Sequence, residues 1–138
     1  MSVEPGQEQG LTVTLDLIET VMVRAIALVL LFFAIRYWMR VTGYNGGAEF
    51  RFDTMSEHWR VASASLSVLL PVAALGLWGR FSWGAVVWFL AAVQQIAMHA
   101  WFYDSFGRAD ATVTFQLVAI AVYGSLKLAE YFSRRRRR

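Results

Sequence analysis

Residues 61–103 read VASASLSVLLPVAALGLWGRFSWGAVVWFLAAVQQIAMHAWFY and hold one formal charge, Arg80. A helix of about 20 mostly apolar residues crosses a hydrocarbon core about 30 Å thick. The stretch is long enough for two such spans, residues 61–78 and 81–103. Only the GRFS at 79–82 separates them, so the expected geometry is a tight antiparallel hairpin. Pro71 falls inside the first of the two and is expected to kink it.

Working outward, two further spans are predicted. Residues 20–41 centre on AIALVLLFFAI, flanked by Arg24 and Arg36. Long arginines reach the interfaces from such positions, although a short apolar centre between charges also suits a helix lying flat on the surface. Residues 111–132 form the fourth span, with Lys127 and Glu130 near its end. The predicted fold is therefore all-α: a polytopic membrane protein of one domain, with four transmembrane helices in a bundle.

Composition agrees. Apolar residues make up 57% of the chain and charged residues 17%, against roughly 25% charged in soluble domains. There are no cysteines, which removes disulfides, thiolate metal sites and cysteine nucleophiles. Residues 1–20 carry Glu4, Glu8, Asp16 and Glu19 and no base. That is not the pattern of a signal peptide, so the first span is expected to remain as an anchor. Residues 1–11 are expected to be disordered.

The loop TGYNGGAEFRFDTMSEH, residues 42–58, opens with turn chemistry at Asn45-Gly46-Gly47. Its second half mixes aromatics and charges, which suits either the membrane surface or a solvated loop. Trp78 and Trp83 flank the predicted hairpin turn, and Trp38, Trp59 and Trp101 fall at the opposite ends of their spans. These are two interfacial aromatic belts; Trp88 is expected inside. Arg134, Arg135, Arg136, Arg137 and Arg138, with Lys127 and Arg80, fall on the side of both termini, whereas Arg40, Arg51, Arg60 and Arg108 fall on the other. The positive-inside rule then favours cytoplasmic termini. The basic tail also suits anionic lipid, at about 1 kcal/mol per base. It is not evidence for nucleic acid, because the rest of the chain is slightly acidic.

Three groups of polar residues stand out. Gln95 and His99 share one helix face, extended by Trp88; with Gln94 and Trp101 they form a polar stripe inside or beside the third span. Polar side chains in lipid usually bond across to another helix. Gln95 is expected to reach backbone or serine on the second span, whose Ser63, Ser67 and Ala74 form a row of small residues. Gln94 is expected to assist or to face a partner chain. The second group, Glu19, Arg24, Lys127 and Glu130, lies near one depth and is expected to pair at the interface. The third, His58, His99 and Asp104 with neighbouring Glu57, has the residue types of a metal site. It lacks H-x-x-E or H-E-x-x-H spacing, so no metal is assigned. Two histidines between helices would also suit a haem. No catalytic trio and no phosphate loop is present.

The segment LGLWGRFSWGAVVWFLAAVQQIAMHAWF, after the opening VRAIALVLLFF, resembles the DoxX-like membrane proteins. That resemblance implies four helices in a bacterial membrane and a redox or quinone-associated role, with Trp88, Gln95, His99 and Trp101 around an aromatic head group. The glutamate common in that group's second span and its Gly-rich fourth ending are missing here. From SEHWR to MHAWFY the chain also resembles a family of short alphaproteobacterial membrane proteins known only as a domain of unknown function, which implies a bacterial inner membrane. The leading expectation is a non-enzymatic accessory subunit or scaffold that contacts lipid and other membrane chains, or itself, without a cofactor. The quinone-associated reading is the alternative.

Overall fold

The computed structural model describes residues 4–44, 56–102, 104 and 110–136. Four helices follow in order: α1 Pro5–Thr42, α2 Glu57–Trp78, α3 Ser82–Ala100 and α4 Asp110–Arg135. Each is long and apolar enough to cross a membrane, which suggests a membrane protein. The turn at Asn45-Gly46-Gly47 and most of the aromatic loop lie outside the described residues.

Helix α1 starts far earlier than the apolar pattern indicated. Residues 5–11, expected to be disordered, are its first turns. Extending an existing helix avoids the cost of nucleation. Pro5 begins it with a preset φ, and Glu8 in the first turn complements the helix dipole. Thr12 and Thr14 fold their hydroxyls back onto the carbonyls of Glu8 and Gly10. At the far end Gly43 takes the left-handed conformation, φ 71°, and donates its N–H to Arg40 O. A 38-residue helix is about 57 Å long, nearly twice the ~30 Å hydrocarbon core.

Between α2 and α3 lie only Gly79, Arg80 and Phe81. Pro71 sits within α2 without ending it. Arg80 has φ 57°, a left-handed conformation that is uncommon for a residue with a Cβ. Phe81 N–H closes the turn on Gly76 O at 2.9 Å. The two helices then pass so closely that a Cβ on Gly76 would lie 2.5 Å from Gly84 Cα. Glycine at both positions is a steric requirement of this crossing.

The closest packing is between α1 and α2, then α2 and α3. Leu30, Leu66, Leu70 and Trp88 are fully buried, surrounded by Ala27, Ala34, Ala62, Ala73, Ala74 and Ala91. Alanine lets backbones approach, and lipid tails offer no hydrophobic drive between helices, so close van der Waals packing is the main attraction. Trp38 Nε1–H adds a hydrogen bond to Ser67 O at 2.6 Å. Helix α4 is different: only Gln116 and Ala119 are buried on it.

Candidate functional site

The polar stripe of α3 divides between two neighbours. Gln94 and Gln95 are successive residues, about 100° apart around the helix, so they face different ways. Gln94 Nε2–H donates to Ser65 Oγ on α2 at 2.5 Å. Gln95, only 1% exposed, turns to α4, where its Oε1 accepts from Gln116 Nε2–H at 2.5 Å. Gln116 Oε1 in turn accepts from Trp88 Nε1–H at 3.1 Å. The serine of α2, expected to meet Gln95, is met by Gln94, and Gln95 instead bonds α4. The reason is helix order. Helix α3 packs against both α2 and α4, so each glutamine meets the helix on its own side.

Around this chain of three side chains the packing is close. Trp88 is 2% exposed and meets Tyr123 of α4 edge-on at 5.5 Å. Tyr37 of α1 is buried beside Gln95 and interacts with it, although Gln95 Nε2 has no well-formed hydrogen bond. Ser63 Oγ is likewise buried without one. His99 is half-buried and partnered. Trp101, 82% exposed, stands apart from the stripe. Trp88, Gln95 and Gln116 therefore form a buried polar joint, with Gln94 in a second joint to Ser65.

A charged cluster gathers where α1, the α2–α3 turn and the end of α4 meet. Glu19 is 5% exposed. Its Oε1 lies 2.6 Å from Lys127 Nζ, and its Oε2 lies 3.7 Å from Arg80 Nη2. Lys127 also reaches Glu130 Oε2 at 3.5 Å. Arg80 Nη2 bonds Asp16 Oδ1 at 2.9 Å. That hydrogen bond holds the exposed Asp16 carboxyl below its usual range and raises the Arg80 guanidinium. Arg24, expected in this group, instead lies over the Trp78 ring at 5.3 Å. Arg24 is exposed and reaches from α1 to the last residue of α2, where an indole face can hold a cation.

The sequence alone does not assign Asp16 and Arg80 to this cluster, nor Gln116 to the joint. The signals were weak but present. Gln116 is a lone amide in TFQLVAI, and a lone amide in an apolar span calls for a partner. Arg80 was already on the same side as Lys127 by the four-span count.

The remaining candidates are separate. Arg40 lies over Tyr37 at 5.6 Å and over Trp59 at 5.1 Å, at the other end of α1. His58 and Asp104 are exposed. Among the described residues no three His, Cys, Asp or Glu come together as metal ligands, so His58, His99 and Asp104 are not gathered into a site. Arg134 and Arg135 lie in the last turn of α4 and Arg136 just beyond, all exposed; Arg137 and Arg138 lie outside the described residues.

Comparison with known proteins is brief. No curated protein and no solved structure matches the chain. A family profile does match, over residues 17–134, which takes in the polar joint and all of the charged cluster but Asp16. By that match the chain belongs to DUF6163, a family of unknown function.

Proposed function

We propose that this chain is a non-enzymatic membrane module, an accessory subunit or scaffold within a larger complex of a bacterial inner membrane, with both termini cytoplasmic. One observation carries the reading. The conspicuous polar side chains of the core are spent on one another across helix boundaries: Trp88, Gln116 and Gln95 join α3 to α4, and Gln94 joins Ser65 of α2. Groups engaged in this way hold helices together.

Helix α4 supports the same reading. It carries Leu117, Val118, Val122, Leu128, Tyr131 and Phe132 on exposed surface, a face open to lipid or to a helix of another chain. The exposed arginines after it suit anionic headgroups. The DoxX-like quinone reading finds less support, since Trp88 and Gln95 are enclosed in the packed core and Trp101 is remote from them.

The test is native mass spectrometry of the chain extracted from its own membrane in mild detergent, with crosslinking in cells. A stoichiometric protein partner is expected. A chain that runs alone and crosslinks to nothing would end this reading, and a retained quinone lost on Gln95→Leu would establish the other.

A further inference from the structure

The two ends of the bundle treat their cations differently. At the end that holds the α2–α3 turn, Arg80 and Lys127 meet Asp16, Glu19 and Glu130. At the other end, Arg36 and Arg40 of α1 form no ion pair among the described residues. They are i and i+4, so they leave the same face of the helix as neighbours. Arg36 is exposed and Arg40 half-buried. Arg40 is held in place: its Cζ lies 5.6 Å from the centre of the Tyr37 ring and 5.1 Å from that of Trp59 on α2. An aromatic face attracts a guanidinium and leaves its N–H edge free to donate.

Depth gives the missing acid its meaning. Arg24 and Arg36 bracket the uncharged stretch AIALVLLFFAI of α1. Their Cα atoms are about 18 Å apart along the axis, well short of the ~30 Å hydrocarbon core. Both therefore reach outward along the helix, in opposite directions. Arg24 ends on the Trp78 ring. Arg36 is exposed and has no acid of this chain to end on, and a charge inside a span is costly unless it is paired. The anion that lies at that level of a bilayer is the phosphate of a phospholipid. A guanidinium meets phosphate through two parallel N–H donors. Two arginines with no carboxylate beside them also favour a headgroup of net negative charge, because a zwitterionic one would bring a third cation close to them.

We propose that Arg36 and Arg40 clamp the phosphate of one anionic phospholipid at the C-terminal end of α1, with Tyr37 and Trp59 holding Arg40 in position. Arg36 supplies the donor from the lipid side, and Arg40 supplies the one fixed against the bundle. The site is at the opposite end of the bundle from the arginine run that closes α4. It rests on α1 crossing a membrane and is independent of any protein partner.

Native mass spectrometry of the full chain in mild detergent, with equimolar phosphatidylglycerol and phosphatidylcholine, tests this. The wild type should retain phosphatidylglycerol in preference, a reading that needs no variant. The tail is then neutralised by changing each of Arg134 to Arg138 to Gln, and one phosphatidylglycerol per chain should remain bound. Adding Arg36→Gln and Arg40→Gln should cut that retention roughly thirtyfold, at about fivefold for each base. Arg36→Lys keeps the charge at an exposed position but loses the planar fork, so its retention should fall between the two. Circular dichroism should show the same helix content throughout. Equal retention of the two lipids by the wild type overturns the proposal, as does a preference that survives the double change or disappears with the tail charges alone. Inorganic phosphate supplied without lipid should not be retained; a bound phosphate ion that blocks the lipid would make the occupant a free anion and would also overturn it.

Discussion

Helices α1, α2 and α3 hold together mainly by contact between carbon atoms, with Trp38–Ser67 and Gln94–Ser65 added; helix α4 holds on by a few side chains. The first three share Leu30, Leu66, Leu70 and a set of alanines, with two glycines in backbone contact. Helix α4 buries Gln116 and Ala119 and otherwise relies on Lys127, on Tyr123 against Trp88 and on Phe115 against Phe33 at 5.8 Å. Close packing is spread over many atoms and degrades gradually. An attachment by single groups can be lost in one step. The same four-helix chain thus has a fixed part and a detachable part.

The largest expected effect breaks the fixed part. Gly84→Val should destabilise the chain by about 3 kcal/mol, the upper end for overpacking, because its Cβ meets the Gly76 backbone and backbone cannot swing aside. Thermal unfolding in detergent should show all four helices affected; a variant as stable as wild type would refute the close crossing.

Gln116→Leu should act on α4 alone. It leaves Trp88 N–H and Gln95 Oε1 buried without partners, at a cost of about 1–2 kcal/mol for a membrane hydrogen bond. Disulfide formation between Phe33→Cys and Phe115→Cys should fall while the unfolding of α1–α3 stays unchanged. Adding Gln95→Leu should cost less than the sum of the two single changes, because the pair shares one interaction.

Leu128→Ala, on exposed α4 surface, should change the stability of the isolated chain by no more than about 0.5 kcal/mol. In the intact membrane complex it should reduce partner crosslinking, and equal effects in both settings would remove the distinction between the two faces.

The smallest effect belongs to Asp16→Asn. The Asp16 carboxyl is held low by Arg80, so its contribution is fully present above the ordinary value near 4 and is lost as pH falls through the depressed one. Both partners are exposed, and salt screens them. The unfolding midpoint at pH 7 should hardly move; the wild type should lose its small advantage over the variant only in acid.

The sequence was informative where a pattern is one-dimensional. The four apolar stretches, the short turn at Arg80 and the interior place of Trp88 follow from length and spacing. Direction around the helix was harder to read. Gln94 and Gln95 could not be allotted to α2 and α4 until the order of helices was known, and Asp16 lay in a segment that offered no apolar signal. The start of α1 has no apolar signature, because Pro5–Leu11 is helical by continuation of the span, with Gly6 and Gly10 lowering its own propensity.

The length of α1 has a mechanical meaning. Residues 5–18 add about 21 Å of helix ahead of Glu19, with no break between them and Tyr37. A rod of that kind has no joint in which to absorb a push or a twist. Turning its projecting end by one residue's step, about 100°, would swing Glu19 off Lys127 and Tyr37 away from Gln95 together. Whatever grips that end would hold a crank whose other arm reaches both attachments of α4.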